Sequence, residues 1–405
     1  MKFDVRACSS VEELRAAVAP IWQYFGLSVP SDEQFDRIGR LLAPDRMEAA
    51  WEDGQVVGGA GAFAFTLTIP GARIPAAGVT LVGVLPTHRR RGILTALMRA
   101  QLDACRRRGD AVAYLWASED TIYGRFGYGM ASFTAEIDIA RERSTFFRQF
   151  EPAGETRLVP VADAEHLVAP IYERVAADTP GMFARNPEWW QARALADPPW
   201  RRRGGGEMQC VVVESRATPS AYALYRLNVG FDRGVQTGAV EVLEAVADSP
   251  ESTRTLWRFL LDIDWMARIR ASLLPVDHPL LLLAAEPRRL RMNVRDGLWL
   301  RLVDVGAALA RRAYASADAL VVDVTDAFCA WNEGRWSIGP GGVARSSQPR
   351  DLACDVSALG SVYLGGFTWA QLAHAGRVEE FRPGALRRAD ALFRTHRAPW
   401  CPEIF

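Results

Sequence analysis

Two stretches of this chain carry residue types that could do chemistry together. The first runs Val82-Gly83-Val84-Leu85-Pro86-Thr87-His88-Arg89-Arg90-Arg91-Gly92-Ile93-Leu94-Thr95, which reads as a strand, a basic turn and the start of a helix. The first N–H groups of a helix lack intrahelical acceptors and carry partial positive charge. A glycine at that point lets a pyrophosphate lie directly against the backbone. Arginines add charge-assisted donors, each worth about 1.5–3 kcal/mol to a charged group. A solvated basic turn is the plain alternative. Against it stand the apolar strand before the turn, the well-formed helix after it, and a second motif at a fitting distance. That motif is Ser118-Glu119-Asp120-Thr121-Ile122-Tyr123-Gly124-Arg125-Phe126-Gly127-Tyr128-Gly129. It sets Tyr123 one short turn beyond a strand end, where α/β folds usually present ligand-binding groups. A phenol with a pKa near 10 can donate a proton to a thiolate at neutral pH. A core tyrosine held by its hydroxyl is the competing reading.

The elements that must position these residues form a coherent order. Val11 to Phe25 has helical spacing stopped by Gly26, and Met47 to Glu52 and Gln55 to Phe65 are two strands around an Asp53-Gly54 turn. Ala77 to Leu85 is a strand, Ile93 to Arg108 an amphipathic helix ended by Gly109, and Ala111 to Ala117 a strand. The order restarts after about residue 150. Ala164 to Ala177 is a helix, Cys210 to Glu214 and Ala221 to Leu227 a strand pair, Gly238 to Val246 a strand and Ser252 to Met266 a helix. The second copy has Asp248-Ser249-Pro250-Glu251-Ser252 where the first has its arginines, and carboxylates at a helix start repel phosphate. The second copy therefore reads as a scaffold without the cofactor. A third region from about Leu298 has shorter elements: a strand Leu320 to Asp326, a hairpin turn Trp331 to Trp336, and helices Asp355 to Tyr363 and Pro383 to Phe393. Pro279 to Ala285 is a buried strand or helix.

A chain of 405 residues exceeds one core. Its 48 basic and 48 acidic residues balance, so no global field steers it to nucleic acid or an anionic membrane. Lys2 is the only lysine. Six scattered cysteines without a C-x-x-C pair indicate neither a metal site nor a disulfide framework, and a reduced, cytoplasmic protein is expected. The polar N-terminus shows no signal peptide, and no apolar run approaches a membrane span. His88 reads as a helix-start contact; His166, His278, His374 and His396 are isolated. Asp32, Glu33 and Asp36 read as a solvated acidic loop that could also attract a polyamine, and Glu403 is the better acidic candidate.

The two motifs together resemble motif A and the tyrosine segment of GNAT acetyltransferases. The strings V-x-V-x-P-T-H-R-R-R-G and A-S-E-x-x-I-Y-G-R-F-G-Y-G more narrowly resemble the enhanced intracellular survival (Eis) family. The general pattern R-x-x-G-x-G/A is departed from at Leu94. The resemblance covers the whole chain and implies an α/β (α+β) fold: an active GNAT domain over 1–148, a degenerate one over 149–297 and a sterol-carrier-like domain over 298–405. It implies acetyl-CoA as co-substrate, with no metal. Val82, Gly83 and Val84 would contact its thioester arm, and Arg90, Arg91, Gly92, Ile93, Leu94 and Thr95, with Arg89 adjacent, would hold the pyrophosphate. Ser118 and Glu119 would line the pantetheine, and Tyr123 would be the proton donor. The α-carboxylate of the last residue, here Phe405, would be the general base; on residues alone the preferred reading of Phe405 is an apolar plug anchoring the tail. The implied acceptor is an amine of a polycationic small molecule such as an aminoglycoside, and the implied assembly a homo-hexamer. A protein lysine or peptide acceptor, or a non-enzymatic CoA- or lipid-binding module, are the alternatives.

Overall fold

The computed structural model describes residues 3–405, which divide into two compact units. The first unit takes residues up to Ser132, then Leu298–His396 and Phe405; the second takes Phe133–Gly297 and Arg397–Ile404. The expected boundaries at 148 and 297 thus divide the chain differently from its contacts.

The first unit holds a seven-stranded sheet in the order β1 (Asp4–Ala7), β2 (Met47–Glu52), β3 (Gln55–Ile69), β4 (Ala72–Val84), β5 (Val112–Trp116), β16 (Leu298–Leu302) and β6 (Gly129–Met130). The helices α1 (Val11–Tyr24), α2 (Asp32–Leu41) and α3 (Ile93–Arg108) and the one-turn α4 (Asp120–Tyr123) complete the N-terminal part. Leu97, Met98, Leu102 and Cys105 of α3 are buried, as their helical spacing requires. At the β2–β3 turn Asp53 and Gly54 both have positive φ, as a two-residue hairpin demands.

The strand β4 pairs with β5 in parallel only from Ala76↔Val112 to Gly78↔Tyr114. Beyond that point β4 continues to Val84 and β5 to Trp116, so the two strands part. A bulge assists the parting: Thr80 pairs with Gly61 and Gly83 with Gly59, leaving Leu81 and Val82 opposite Ala60, with Leu81 at φ +50.

The same unit carries a second sheet, ordered β19 (Gly342–Arg345), β18 (Gly334–Gly339), β17 (Leu320–Thr325), β20 (Leu352–Asp355) and β21 (Val378–Glu380). Its helices are α10 (Val305–Arg311), α11 (Val356–Tyr363), α12 (Trp369–His374) and α13 (Ala385–Phe393). The helix α11 is buried along its whole length and lies against β16 and β6. The expected hairpin at Trp331 to Trp336 is instead a one-turn 3₁₀ helix at Ala330–Asn332 followed by β18. Trp331 packs its indole back onto the Val303 carbonyl, so only Trp336 enters the strand.

The second unit repeats the plan with a sheet ordered β15 (Asn293–Asp296), β7 (Phe133–Ala140), β14 (Arg268–Leu274), β13 (Ala239–Ala247), β10 (Thr218–Asn228), β9 (Gln209–Ser215) and β8 (Glu155–Val159). A small hairpin, β11 (Phe231–Asp232) with β12 (Val235–Gln236), and the helices α5 (Glu165–Ala176), α6 (Pro187–Trp189), α7 (Pro199–Arg202), α8 (Pro250–Asp262) and α9 (Leu280–Leu283) complete it. In α9 Leu281 and Leu282 are exposed, so the apolar run read as buried is buried on one side only. Each sheet contains one strand from across the expected boundary. The first sheet's β16 comes from residue 298 onward, and the second sheet's β7 follows directly after the first sheet's β6. No helix among the described residues is long and apolar enough to cross a membrane.

Candidate active site

Where β4 ends, the chain makes one 3₁₀ turn, Pro86–His88, and enters α3 through Arg89, Arg90, Arg91 and Gly92. Gly92 is the N-cap of α3 at φ +84, and no side chain caps the helix. The N–H groups of its first turn are therefore left for a ligand. Arg90 also has positive φ, +61, a conformation that costs an L-residue about 1–2 kcal/mol. Such strain is characteristic of ligand clamps.

This turn opens onto a cavity of about 360 Å³. Val82, Gly83 and Val84 of β4 form one wall, and Arg89, Arg90, Gly92, Ile93, Leu94 and Thr95 form the basic end. Ser118, Glu119 and Tyr123 come from the segment after β5. Arg91 does not line the cavity. Its guanidinium is held by both oxygens of Glu52 at 3.0 and 2.5 Å, and His88 Nε2 lies 3.0 Å from the same carboxylate. Arg91 and His88 thus tie the turn to β2, and the Glu52 carboxyl is held below its ordinary pKa by the Arg91 hydrogen bond. His88 also reaches the cavity wall.

Tyr24 lines the cavity without a sequence signal of its own, and Ile122 and Arg125, which stand in the second motif beside Tyr123, line it as well. Tyr24, the last residue of α1, donates from its hydroxyl to Glu119 at 2.9 Å, and the Arg89 guanidinium stacks over its ring at 4.7 Å. Helical spacing placed Tyr24 at a helix end but could not aim it. The cavity is cationic on balance, with Arg89, Arg90 and Arg125 against Glu119. Uncapped helix N–H groups, two cavity-lining arginines of the turn and a parted β4 edge fit an extended ligand with a pyrophosphate at one end.

Tyr123 closes the short α4 and is buried at 6% exposure, its ring edge-to-face with Tyr128 at 5.8 Å. Burial first, then the charges of Tyr24 and Glu119, push its phenol up to about 12. It stays protonated throughout the neutral range, which makes it a donor rather than a base.

Phe405 is buried by its ring, edge-to-face with Phe65 at 5.1 Å and Tyr114 at 5.0 Å. A Cβ on Gly78 would lie 2.2 Å from Phe65 and 3.4 Å from Phe405, so the bare glycine lets Phe65 lie across β4 and meet the terminal ring. Gly78 and Tyr114 are the last paired residues before β4 and β5 part. The terminal ring therefore sits at the fork of the strands, four residues or about 13 Å along β4 from Val82. Phe405 does not line the cavity itself.

The acidic candidates fare differently. Asp32 and Glu33 open the helix α2, with Ser31 and Gln34 in a capping box, and pair with Arg15 and Arg37 respectively. Glu403 is not presented to a substrate. Its carboxylate accepts from Arg185 Nη2 at 2.9 Å and Trp189 Nε1 at 2.8 Å, with Arg193 Nε at 3.4 Å.

The second unit shows why its copy holds no such site. It keeps the parallel pair, β13 with β14, parting after Val242↔Ala271. The helix start that follows is capped by Ser249, whose hydroxyl accepts from Ser252 N, and Pro250 at the first helical position has no N–H to offer. The end of β14 is occupied by the chain's own tail: Trp400 Nε1 donates to the Leu273 carbonyl at 2.5 Å and Trp400 N to Pro180 at 2.8 Å. The six cysteines are all buried thiols.

Comparison with known proteins bears on this geometry. Residues 10–131 and 181–302 each match a family model described as an acetyltransferase (GNAT) domain, and residues 305–402 match a sterol carrier protein domain. The chain is 42% identical over 388 residues to an uncharacterized N-acetyltransferase of Streptomyces avermitilis, covering 94% of both chains. It is 34% identical over 376 residues to the N-acetyltransferase Eis of Mycobacterium tuberculosis, covering 87% of this chain and 88% of that one. The crystal structure of Eis1 from Mycobacterium abscessus superposes with a TM-score of 0.86 at 38% identity, covering both chains completely. A GCN5-related N-acetyltransferase from Anabaena variabilis shares the fold, with a TM-score of 0.85 at 20% identity. GNAT acetyltransferases use acetyl-CoA. With two GNAT folds, the second degenerate, a sterol-carrier domain and relatives of this similarity over nearly its whole length, the chain belongs to the Eis family of GNAT N-acetyltransferases.

Proposed function

We propose that the chain transfers acetyl from acetyl-CoA directly to a primary amine of a polycationic small molecule, of which aminoglycosides are the type. The observation that carries this reading is the single cavity shared by the β4 end, the uncapped start of α3 and Tyr123. Arg90, Gly92, Ile93, Leu94 and Thr95 hold the pyrophosphate, with Arg89 stacked on Tyr24 beside them. The parted backbone at Val82 to Val84 polarises the thioester carbonyl, and Ser118 and Glu119 border the pantetheine. Arg91 contributes through Glu52 rather than by direct contact.

The substrate ammonium must lose a proton before it attacks. The Phe405 α-carboxylate takes that proton, its residue held at the fork of β4 and β5 by the ring contacts with Phe65 and Tyr114. Tyr123 donates to the departing sulfur as charge develops there. Holding both partners in line supplies the proximity that removes the need for a covalent enzyme intermediate. The reading includes a cytoplasmic setting and a homo-hexamer, the latter checked by sedimentation mass.

The test is thiol release from acetyl-CoA with and without an aminoglycoside panel, in wild type and in a variant lacking Phe405. Aminoglycoside-dependent turnover that collapses in the variant, while acetyl-CoA still binds, supports the shared site and the terminal base. Binding without acetylation of any aminoglycoside moves the acceptor to peptide or protein amines. No acetyl-CoA binding refutes the reading.

A further inference from the structure

The segment after Tyr123 carries two glycines whose missing side chains are explained by residues far along the chain. Gly127 has φ +82, and a Cβ there would lie 1.7 Å from Arg301 Nη1 and 2.9 Å from Val356. A Cβ on Gly129 would lie 1.8 Å from the Ser357 carbonyl. The floor beneath the Tyr123 turn is therefore built by β16 and α11, within the same unit.

Arg301 is the unusual member of that floor. It is fully buried, and its Nη2 pairs with the buried Asp326. Asp326 is itself fixed by Cys329 N at 2.9 Å, Phe328 N at 3.2 Å and Asn332 Nδ2 at 2.9 Å. Nε and Nη1 of Arg301 have no hydrogen-bond partner, and neither has the buried hydroxyl of Tyr128. Burying a guanidinium with most donors unused is costly, and an apolar side chain of similar volume would serve stability as well or better. Stability alone does not account for it. What the guanidinium touches does: the backbone of Gly127, next to Tyr128, whose ring meets Tyr123 and whose N–H closes the turn onto the Tyr123 carbonyl at 3.3 Å.

We propose that Arg301 is a positioning residue for Tyr123, its guanidinium plane, anchored by Asp326, fixing the turn that aims the Tyr123 hydroxyl. This rests on Tyr123 being the proton donor. Full-length Arg301→Met is expected to lower kcat tenfold or more while KM and Kd for acetyl-CoA stay within twofold, because the turn at Arg90 to Thr95 is untouched. Arg301→Lys, which keeps the charge but not the plane, is expected to recover less than half of the lost kcat. Should Arg301→Met not fold, Asp326→Asn loosens the anchor in place and is expected to lower kcat at least threefold with the same unchanged KM. Adding Arg301→Met, or Asp326→Asn, to Tyr123→Phe is expected to cost less than a further twofold, since Arg301 acts through that hydroxyl. A kcat unchanged in the single variants, or a full multiplicative loss in the double, overturns the inference and leaves Tyr123 as donor. An unchanged kcat in Tyr123→Phe alone overturns the donor assignment and this inference with it.

Discussion

Replacing Glu403 with alanine should loosen the C-terminal tail from the second unit without unfolding that unit. Burial alone would raise the Glu403 pKa, but Arg185, Arg193 and the Trp189 indole N–H hold it below the ordinary range, so it is a carboxylate at neutral pH. Breaking a buried pair by removing one partner costs about 3–5 kcal/mol. Here the lower end applies. Arg185 keeps both oxygens of Glu244, at 2.9 and 2.5 Å, and Arg193 keeps the Ile404 carbonyl at 2.6 Å. The loss therefore falls on the tail, whose other attachments include Trp400 to Leu273 and Pro180, Ala398 N to Asp277 and Arg397 to Thr179. A cost of about 3 kcal/mol raises the population of the open tail about a hundredfold. Hydrogen exchange at the Trp400 amide should accelerate by that factor, and the tail should become sensitive to carboxypeptidase. Exchange at Trp400 changed by less than threefold would refute the reasoning, because the carboxylate would then be holding nothing.

Three further outcomes follow from the site and its surroundings. Arg90→Ala should weaken CoA binding by about 1.5–3 kcal/mol, ten- to a hundredfold, while Arg91→Ala leaves affinity within threefold; equal losses by titration calorimetry would contradict the distinction between a cavity-lining and a Glu52-bound arginine. Tyr123→Phe should cut kcat strongly, and because its phenol sits at about 12, the wild-type pH–rate profile should owe no alkaline fall below pH 11 to this group. A tyrosine-dependent limb near pH 9 would show that burial does not govern it. Burial holds His278 down at about 3, so it is neutral in the folded chain and protonates on unfolding below 6.5. Its contribution is complete above pH 6.5 and is lost as pH falls toward 3, amounting to about 2.7 kcal/mol at pH 4.5. Denaturant unfolding of wild type and His278→Gln at pH 7 and 4.5 measures it, and an equal acid loss in both removes His278 as the cause.

Much of the first unit was legible because its signals are local. The Asp53-Gly54 turn, the apolar stripe of α3 and the Gly109 stop each depend on a few neighbouring residues, and their elements lie where spacing puts them. The cavity wall followed from the same locality, since Val82 to Thr95 is one continuous strand, turn and helix. Arg91 did not, because three adjacent arginines look alike until Glu52, on another strand, selects one. Tyr24 and Glu403 were beyond reach for the same reason: their partners are 95 and 218 residues away. Nothing in composition marks β7 as pairing with β14, or β16 with β5. β7 is interrupted by Glu136 and Asp138 and β16 by Arg301, and their pairing is decided by long-range fit.

The placement of β16 between β5 and β6 also sets a timetable for biosynthesis. When β6 leaves the ribosome its sheet partner β16 does not yet exist, and residues 133–297 must be made first. At about 5–20 residues per second that interval is on the order of ten seconds or longer, against microseconds for forming a hairpin. Throughout it the apolar edge of β5, Val112 to Trp116, is open to pairing with other nascent chains. A fragment ending near residue 132 would keep that edge permanently, so this N-terminal third should be insoluble when made alone and recoverable when a segment beginning at Leu298 is supplied in trans.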